Sequence, residues 1–156
     1  MSTRSSGRGD ARWLAPEEER AWRAYRRMAT AVQVGTSQDL ADHGLSEADY
    51  EVLSTLSERP GNASPLHEQA AKMGWSRSRL SRHATRMESR GLLGRTPDPA
   101  DGRGCILVLT GQGLEVLKSA APAHLASVRR HFVDRLAPED LAALERIAAK
   151  VDPIAD

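Results

Sequence analysis

The chain has 156 residues, with 22 Lys and Arg against 21 Asp and Glu, and a single cysteine, Cys105. A length of this order suits one hydrophobic core rather than two, and a lone thiol rules out an intrachain disulfide, so a disulfide-stapled secreted domain is excluded and a reducing, cytoplasmic setting is expected. No apolar run approaches the roughly 18 residues of a membrane span, and the opening MSTRSSGRGD lacks the apolar stretch of a signal peptide, so no membrane partner is expected.

Residues 1–12, dominated by Ser, Gly and Arg, predict a disordered tail, and residues 13–156 a single domain. From Trp13 to about Gln38, Trp22, Tyr25, Met28, Ala29 and Val32 recur at intervals of three and four, as an amphipathic helix requires. Pro16 and the acidic Glu17, Glu18 and Glu19 suit its first turn, where missing N–H groups and negative charge are both tolerated. Ser46, with Asp49 three residues on, is a capping-box-like start for a helix whose buried side is Tyr50, Leu53 and Leu56, and which RPGN ends.

Ser64 and Pro65 predict the cap and first turn of a short helix, PLHEQAAKM, that Gly74 closes; Ser76 caps another almost at once. Two short helices so tightly joined, with small Ala70 and Gly74 where they approach and bend, form a helix-turn-helix pattern. After Gly91, LLGRT and CILVLT predict the two strands of a hairpin, or wing, joined by PDPADGRG. Thr110 caps a long helical stretch carrying Leu114, Leu117, Ala121, Leu125, Val128, Phe132 and Leu136, with Pro122 expected to kink it. Pro138 and Glu139 open a last helix with Leu141, Leu144, Ile147 and Val151.

Charge is distributed unevenly along these elements. Residues 72–103 hold eight basic side chains against three acidic ones, Glu88, Asp98 and Asp101, which leaves the remainder net acidic. A positive segment on an otherwise slightly acidic chain is the footprint of a nucleic-acid reader. On a helix over 76–90, Leu80, Ala84 and Met87 share one narrow inward sector, while Ser78, Arg82, Thr85 and Ser89 lie opposite, flanked by Arg79, Ser81 and Arg86. Small residues permit close approach to a groove, and Arg can bind guanine bidentately or clamp phosphate. His83 lies beside the inward sector and is expected to be a half-buried packing histidine.

At the two ends, about 13–44 and 111–156, the helices carry more apolar surface than the reading module at about 46–110 can cover, which predicts a homodimer. No Gly-rich phosphate loop and no Ser/His/Asp constellation can be placed, so an enzyme is not expected. The five histidines include no pair at i,i+3 or i,i+4, so metal and other cofactors are not expected either.

The motifs SRSRLSRHATRMESRGLLGR, DPADGRG and LTGQG, in that order, resemble the MarR family of winged helix-turn-helix transcriptional regulators over about residues 20–150. The resemblance implies a mainly α fold with a small β-hairpin wing and an intertwined helical homodimer. It also implies a double-stranded DNA partner, a pseudo-palindromic operator and a regulator, most often a repressor, released by a small organic effector. Matched residue by residue, Ser76, Arg77, Ser78, Arg79, Ser81, Arg82 and Arg86 fall at recognition-helix positions near bases or phosphates. Arg103 matches the wing-tip arginine and Asp101 the acidic residue that shapes the wing, while Arg95 at the wing base is expected to touch phosphate or make an internal ion pair. Trp22, Tyr25, Arg26 and His43 are candidates for an effector crevice. Gln69 and His83 stand where the family more often has an apolar residue, so softer packing beneath the recognition helix is expected. An alternative keeps the winged fold as a protein-interaction module; arginine and serine on the outward face, rather than apolar or acidic residues, speak against it.

Overall fold

A computed structural model describes residues 12–152, so the expected tail lies, apart from Arg12, outside the described residues. Helix α1 (Pro16–Ala41) starts at the proline, and the Ala15 N–H donates to Glu18 Oε2 at 2.8 Å, which satisfies one of the N–H groups a helix start leaves open. Helix α2 (Glu47–Ser57) opens on the expected capping box: the Asp49 N–H donates to Ser46 Oγ and the Ser46 N–H to Asp49 Oδ2, both at 3.0 Å. RPGN then turns the chain, with Gly61 and Asn62 in the left-handed region at φ 66° and 53°.

Strand β1 (Ala63–Pro65) follows, where a helix start was expected. Ser64 does not cap the next helix; it pairs across the sheet with Leu107, and its side chain is buried. Pairing with a strand more than forty residues away outweighs the local capping preference, and helix α3 (Leu66–Met73) begins one residue after Pro65. Gly74, in the left-handed region, ends α3, and Ser76 caps helix α4 (Arg77–Ser89) by accepting from the Arg79 N–H at 3.1 Å.

The wing falls where the hairpin was expected, but its strands are longer and its loop shorter. Strands β2 (Leu93–Asp98) and β3 (Asp101–Leu109) take up most of PDPADGRG, leaving only Pro99 and Ala100 between them. With β1 they form an antiparallel sheet in the order β1-β3-β2. Pro97 sits within β2 next to an irregularity in the register, which is where an edge strand tolerates a residue without an N–H.

Helix α5 (Gly111–His131) runs through Pro122 without interruption, so the bend expected there does not divide it. Pro122 and Lys118, whose carbonyl the proline leaves without a donor, are both exposed, so water can serve that carbonyl. The helix stops before Phe132, and Phe132 and Leu136 do not continue it. Arg135 Nε donates to the Arg130 carbonyl at 3.0 Å and closes the end as a short 3-10 turn, Val133–Arg135, before helix α6 (Pro138–Val151).

The core forms where α2, α4, the sheet and the first half of α5 meet, around Leu53, Leu56, Leu80, Met87, Leu107 and Leu117. Each fully buried leucine of this kind contributes about 1.5–3 kcal/mol relative to exposure. Outside it, Trp22, Tyr25 and Val34 on α1, Leu125 on α5 and Ile147 and Val151 on α6 remain more than half exposed, and α6 buries no residue at all. The start of α5 is fastened at Thr110. Its hydroxyl donates to the Gly91 carbonyl at 2.6 Å and accepts from the Gly113 N–H at 2.9 Å, pinning the start of α5 against the link between α4 and the wing.

Gly113 must be glycine where it meets that link, because a Cβ there would lie 2.2 Å from the Leu92 carbonyl oxygen. Gly113→Ala should therefore lower the stability of the folded protein by about 1–3 kcal/mol or more, read from urea unfolding. An unchanged midpoint would mean that the link can move aside.

Candidate nucleic-acid interface

Leu80, Ala84 and Met87 are fully buried, as their spacing on α4 predicts, and this fixes which side of the helix faces out. Arg77, Ser78, Arg79, Arg82, Thr85, Arg86 and Ser89 are exposed, and Ser81 is half-buried where α4 meets the wing. Among the described residues, no carboxylate pairs with the guanidinium of Arg77, Arg82 or Arg103. Three unneutralised cations on adjoining surfaces make a site for a polyanion, because each gains by exchanging water and counterions for phosphate.

An open cleft of about 380 Å³ separates α4 from the wing, with Arg77, Ser78 and Ser81 on one wall and Arg95, Arg103 and Cys105 on the other. Arg95 makes an internal ion pair, one of the two roles expected of it. Its guanidinium pairs with Glu88 and donates to the Ser81 carbonyl at 2.6 Å, Thr85 Oγ1 at 2.9 Å and Ser81 Oγ at 3.1 Å. Arg95 thus braces the wing against α4, with its donors turned inward. Asp101 Oδ1 accepts from the Arg103 N–H at 3.1 Å and fixes the backbone at the tip, leaving the Arg103 side chain exposed at the edge of the cleft. Buried Asp98 does the same for the Ala100 N–H at 2.9 Å; the spacing Asp-Pro-Ala-Asp carries that signal, but sequence reasoning used only its second aspartate.

Asp49 is the residue sequence reasoning valued too little. Beyond the capping box, its Oδ2 accepts from Arg90 Nη1 at 2.7 Å, and its Oδ1 lies 2.9 Å from His83 Nε2 without forming a hydrogen bond to it. Arg90 Nη2 also donates to the Gly44 carbonyl at 2.5 Å, so the end of α4 is tied to the junction of α1 and α2. Burial raises the Asp49 pKa, yet the Ser46 N–H, the Arg90 guanidinium and His83 outweigh it and hold the carboxyl below its ordinary value. Gln69, fully buried, donates to Thr55 Oγ1 while its Oε1 finds no partner among the described residues, so this polar position is held on one side only.

The effector candidates do not gather within one protomer. Trp22 and Tyr25 stack with centroids 5.7 Å apart, and Arg26 lines an open basic groove with Arg20, Arg23 and Arg27. His43 lies roughly 30 Å further along the α1 direction, at 1.5 Å per residue, beside Gln112 and Glu115 of α5. Among the described residues there is no group of three His, Cys, Asp or Glu placed to hold a metal, and no helix is long and apolar enough to cross a membrane.

Residues 45–105 match the model of the MarR family. The transcriptional regulator HosA of Escherichia coli O111:H- is 31% identical over 107 residues, which cover 69% of this chain and 77% of HosA. AbsC, a MarR family transcriptional regulator from Streptomyces coelicolor, superposes with a TM-score of 0.84 at 41% identity over 90% of this chain and 95% of its own. Sco3205, a MarR family regulator from the same organism solved in complex with DNA, gives a TM-score of 0.85 at 36% identity over 91% of this chain and 89% of its own.

Asp49→Asn should destabilise the fold by about 1–3 kcal/mol at neutral pH, since Arg90 and His83 lose their anion. The sign with pH follows from the lowered folded value: the stabilisation is complete above the unfolded carboxyl range, near pH 4, and is lost as pH falls through the folded one. Urea unfolding of wild type and variant should therefore converge toward pH 3, and parallel curves would contradict this role for the carboxylate.

Proposed function

The chain belongs to the MarR family of transcriptional regulators, and we propose that it reads a pseudo-palindromic DNA operator as a homodimer, acting as a repressor in the cytoplasm at the nucleoid. The observation that carries this reading is the set of arginines that pair with no carboxylate among the described residues: Arg77 and Arg103 on the two sides of one cleft, and Arg82 exposed on the outward face of α4. Outward Arg82 and the small Ser78 and Thr85 suit base edges in a major groove, with Ser76, Arg77, Ser81 and Arg86 near bases or the flanking phosphates. Arg103, exposed at a tip that Asp101 holds, suits the narrow minor groove alongside, where negative potential is strongest.

The exposed apolar faces of α1 and α6 support pairing of two copies, since burying them is favourable and nothing among the described residues covers them. Residues 13–156 then act as one unit, with the helices of 13–44 and 111–156 pairing the copies and 46–110 reading DNA. Two-fold pairing sets the half-sites roughly 10 bp apart. A small organic effector releases the operator in this reading, with Trp22, Tyr25, Arg26 and His43 as the residues that would meet it; their separation in the protomer requires any shared crevice to be completed by the second copy.

Selection from a random duplex library at near-physiological salt should enrich an inverted repeat with that spacing. No enrichment by a folded dimer would favour the protein-interaction alternative. On the selected site, Arg82→Ala should cost about 1–3 kcal/mol and relax base preference at one position of each half-site. Arg103→Ala should lower the salt dependence by about 0.9 in log-log slope for each phosphate it no longer neutralises, whereas Arg95→Ala should leave the slope unchanged. A reduced slope for Arg95→Ala would place Arg95 among the phosphate-binding residues after all.

A further inference from the structure

His83 was expected to be a packing residue, and its surroundings give it a more specific task. It lies on α4 with its side chain only 12% exposed, between the buried Asp49 carboxylate and the exposed Arg86. Nε2 is 2.9 Å from Asp49 Oδ1, an electrostatic contact rather than a hydrogen bond, and Nδ1 is 3.1 Å from Arg86 Nη2, within hydrogen-bond reach. A carboxylate can only accept and a guanidinium can only donate, so the tautomer that suits both neighbours carries its hydrogen on Nε2, toward Asp49, and a lone pair on Nδ1, toward Arg86. The other groups around the ring reinforce the arrangement. Trp75 meets His83 edge to face with centroids 5.6 Å apart, and Arg79 lies over the Trp75 ring at 3.7 Å. Arg90, on the far side of Asp49, neutralises the carboxylate.

We propose that His83 is a positioning residue for DNA recognition, relaying the buried Asp49 anchor to Arg86 so that this guanidinium is held in place before DNA arrives. The proposal rests on the reading of the outward face of α4 as the DNA-contacting surface. An arginine side chain free to wander must be immobilised on binding, at a cost of about 0.5–1.5 kcal/mol, whereas one already held by an acceptor avoids most of it. No other side-chain acceptor for Arg86 is present among the described residues, and Glu88, the nearest acidic residue in sequence on α4, is taken by Arg95. Arg86 is thereby held without a carboxylate that would cancel its charge, so its attraction for phosphate is kept.

The test uses the full chain and two readouts. Histidine nitrogen NMR on the free protein should show His83 as the Nε2–H tautomer, with an Nδ1 resonance that moves in Arg86→Ala. The opposite tautomer, or an Nδ1 resonance indifferent to Arg86→Ala, overturns the proposal whether or not the protein binds DNA. The second readout is a double-mutant cycle on the selected operator. His83→Leu fills the same space without an acceptor and should weaken binding about two- to tenfold, the fold-change equivalent to that immobilisation cost. His83→Gln, which keeps one donor and one acceptor, should restore most of the affinity. In the Arg86→Ala background His83→Leu should have no further effect. Effects that add in full would show that His83 acts only through packing, and a wild-type protein that selects no duplex would instead remove the operator reading while the NMR result still decides the histidine.

Discussion

One buried carboxylate holds the reading head together. Asp49 begins as a helix-capping residue, a role worth on the order of 1 kcal/mol, and becomes the point at which three parts of the chain are fastened. Its backbone and one oxygen close the start of α2, Arg90 brings in the end of α4 and the Gly44 carbonyl, and His83 brings in the middle of α4. A negative charge at this depth is stable because cationic and N–H donors surround it; without them it would be protonated or exposed. The orientation of the recognition helix is therefore set by a polar contact as well as by Leu80, Ala84 and Met87, and a polar contact specifies direction more sharply than apolar packing does.

The outer surface follows the opposite rule. Where α4 meets the wing, Arg95 commits its donors to Glu88, Ser81 and Thr85 and serves as structure. In the same cleft, Arg77 and Arg103 pair with no carboxylate among the described residues. The two kinds of arginine line one space, and only the placement of one glutamate separates them. Net charge alone would count them equally.

Much of this was legible in the sequence, and the parts that were not share a cause. Caps and turns are local, so Ser46, Gly74, Ser76 and Thr110 announced themselves within four residues of their partners. The inward face of α4 was equally plain, since a period of 3.6 is a local property. Ser64 misled because its strand partner, Leu107, is distant in sequence, and no short window contains the competition between sheet and cap. His83 looked anomalous for the same reason: the residue that explains it, Asp49, lies on another helix. The long helix predicted through Leu136 stopped early because Arg135 folds back on the Arg130 carbonyl, an interaction the apolar spacing does not encode.

The pin at Thr110 and Gly113 has a mechanical meaning. With the start of α5 fastened to the base of the wing and no room for even a methyl group between them, the joint is tightly held, and the helix can act as a lever arm whose far end carries exposed apolar residues such as Leu125. A 21-residue helix is about 31 Å long. A swing of about 6° at one end then carries the other through about 3.4 Å, the rise of a single base pair. Small adjustments in how two copies lean on each other would be delivered to the DNA as whole steps of the ruler along which the half-sites are measured.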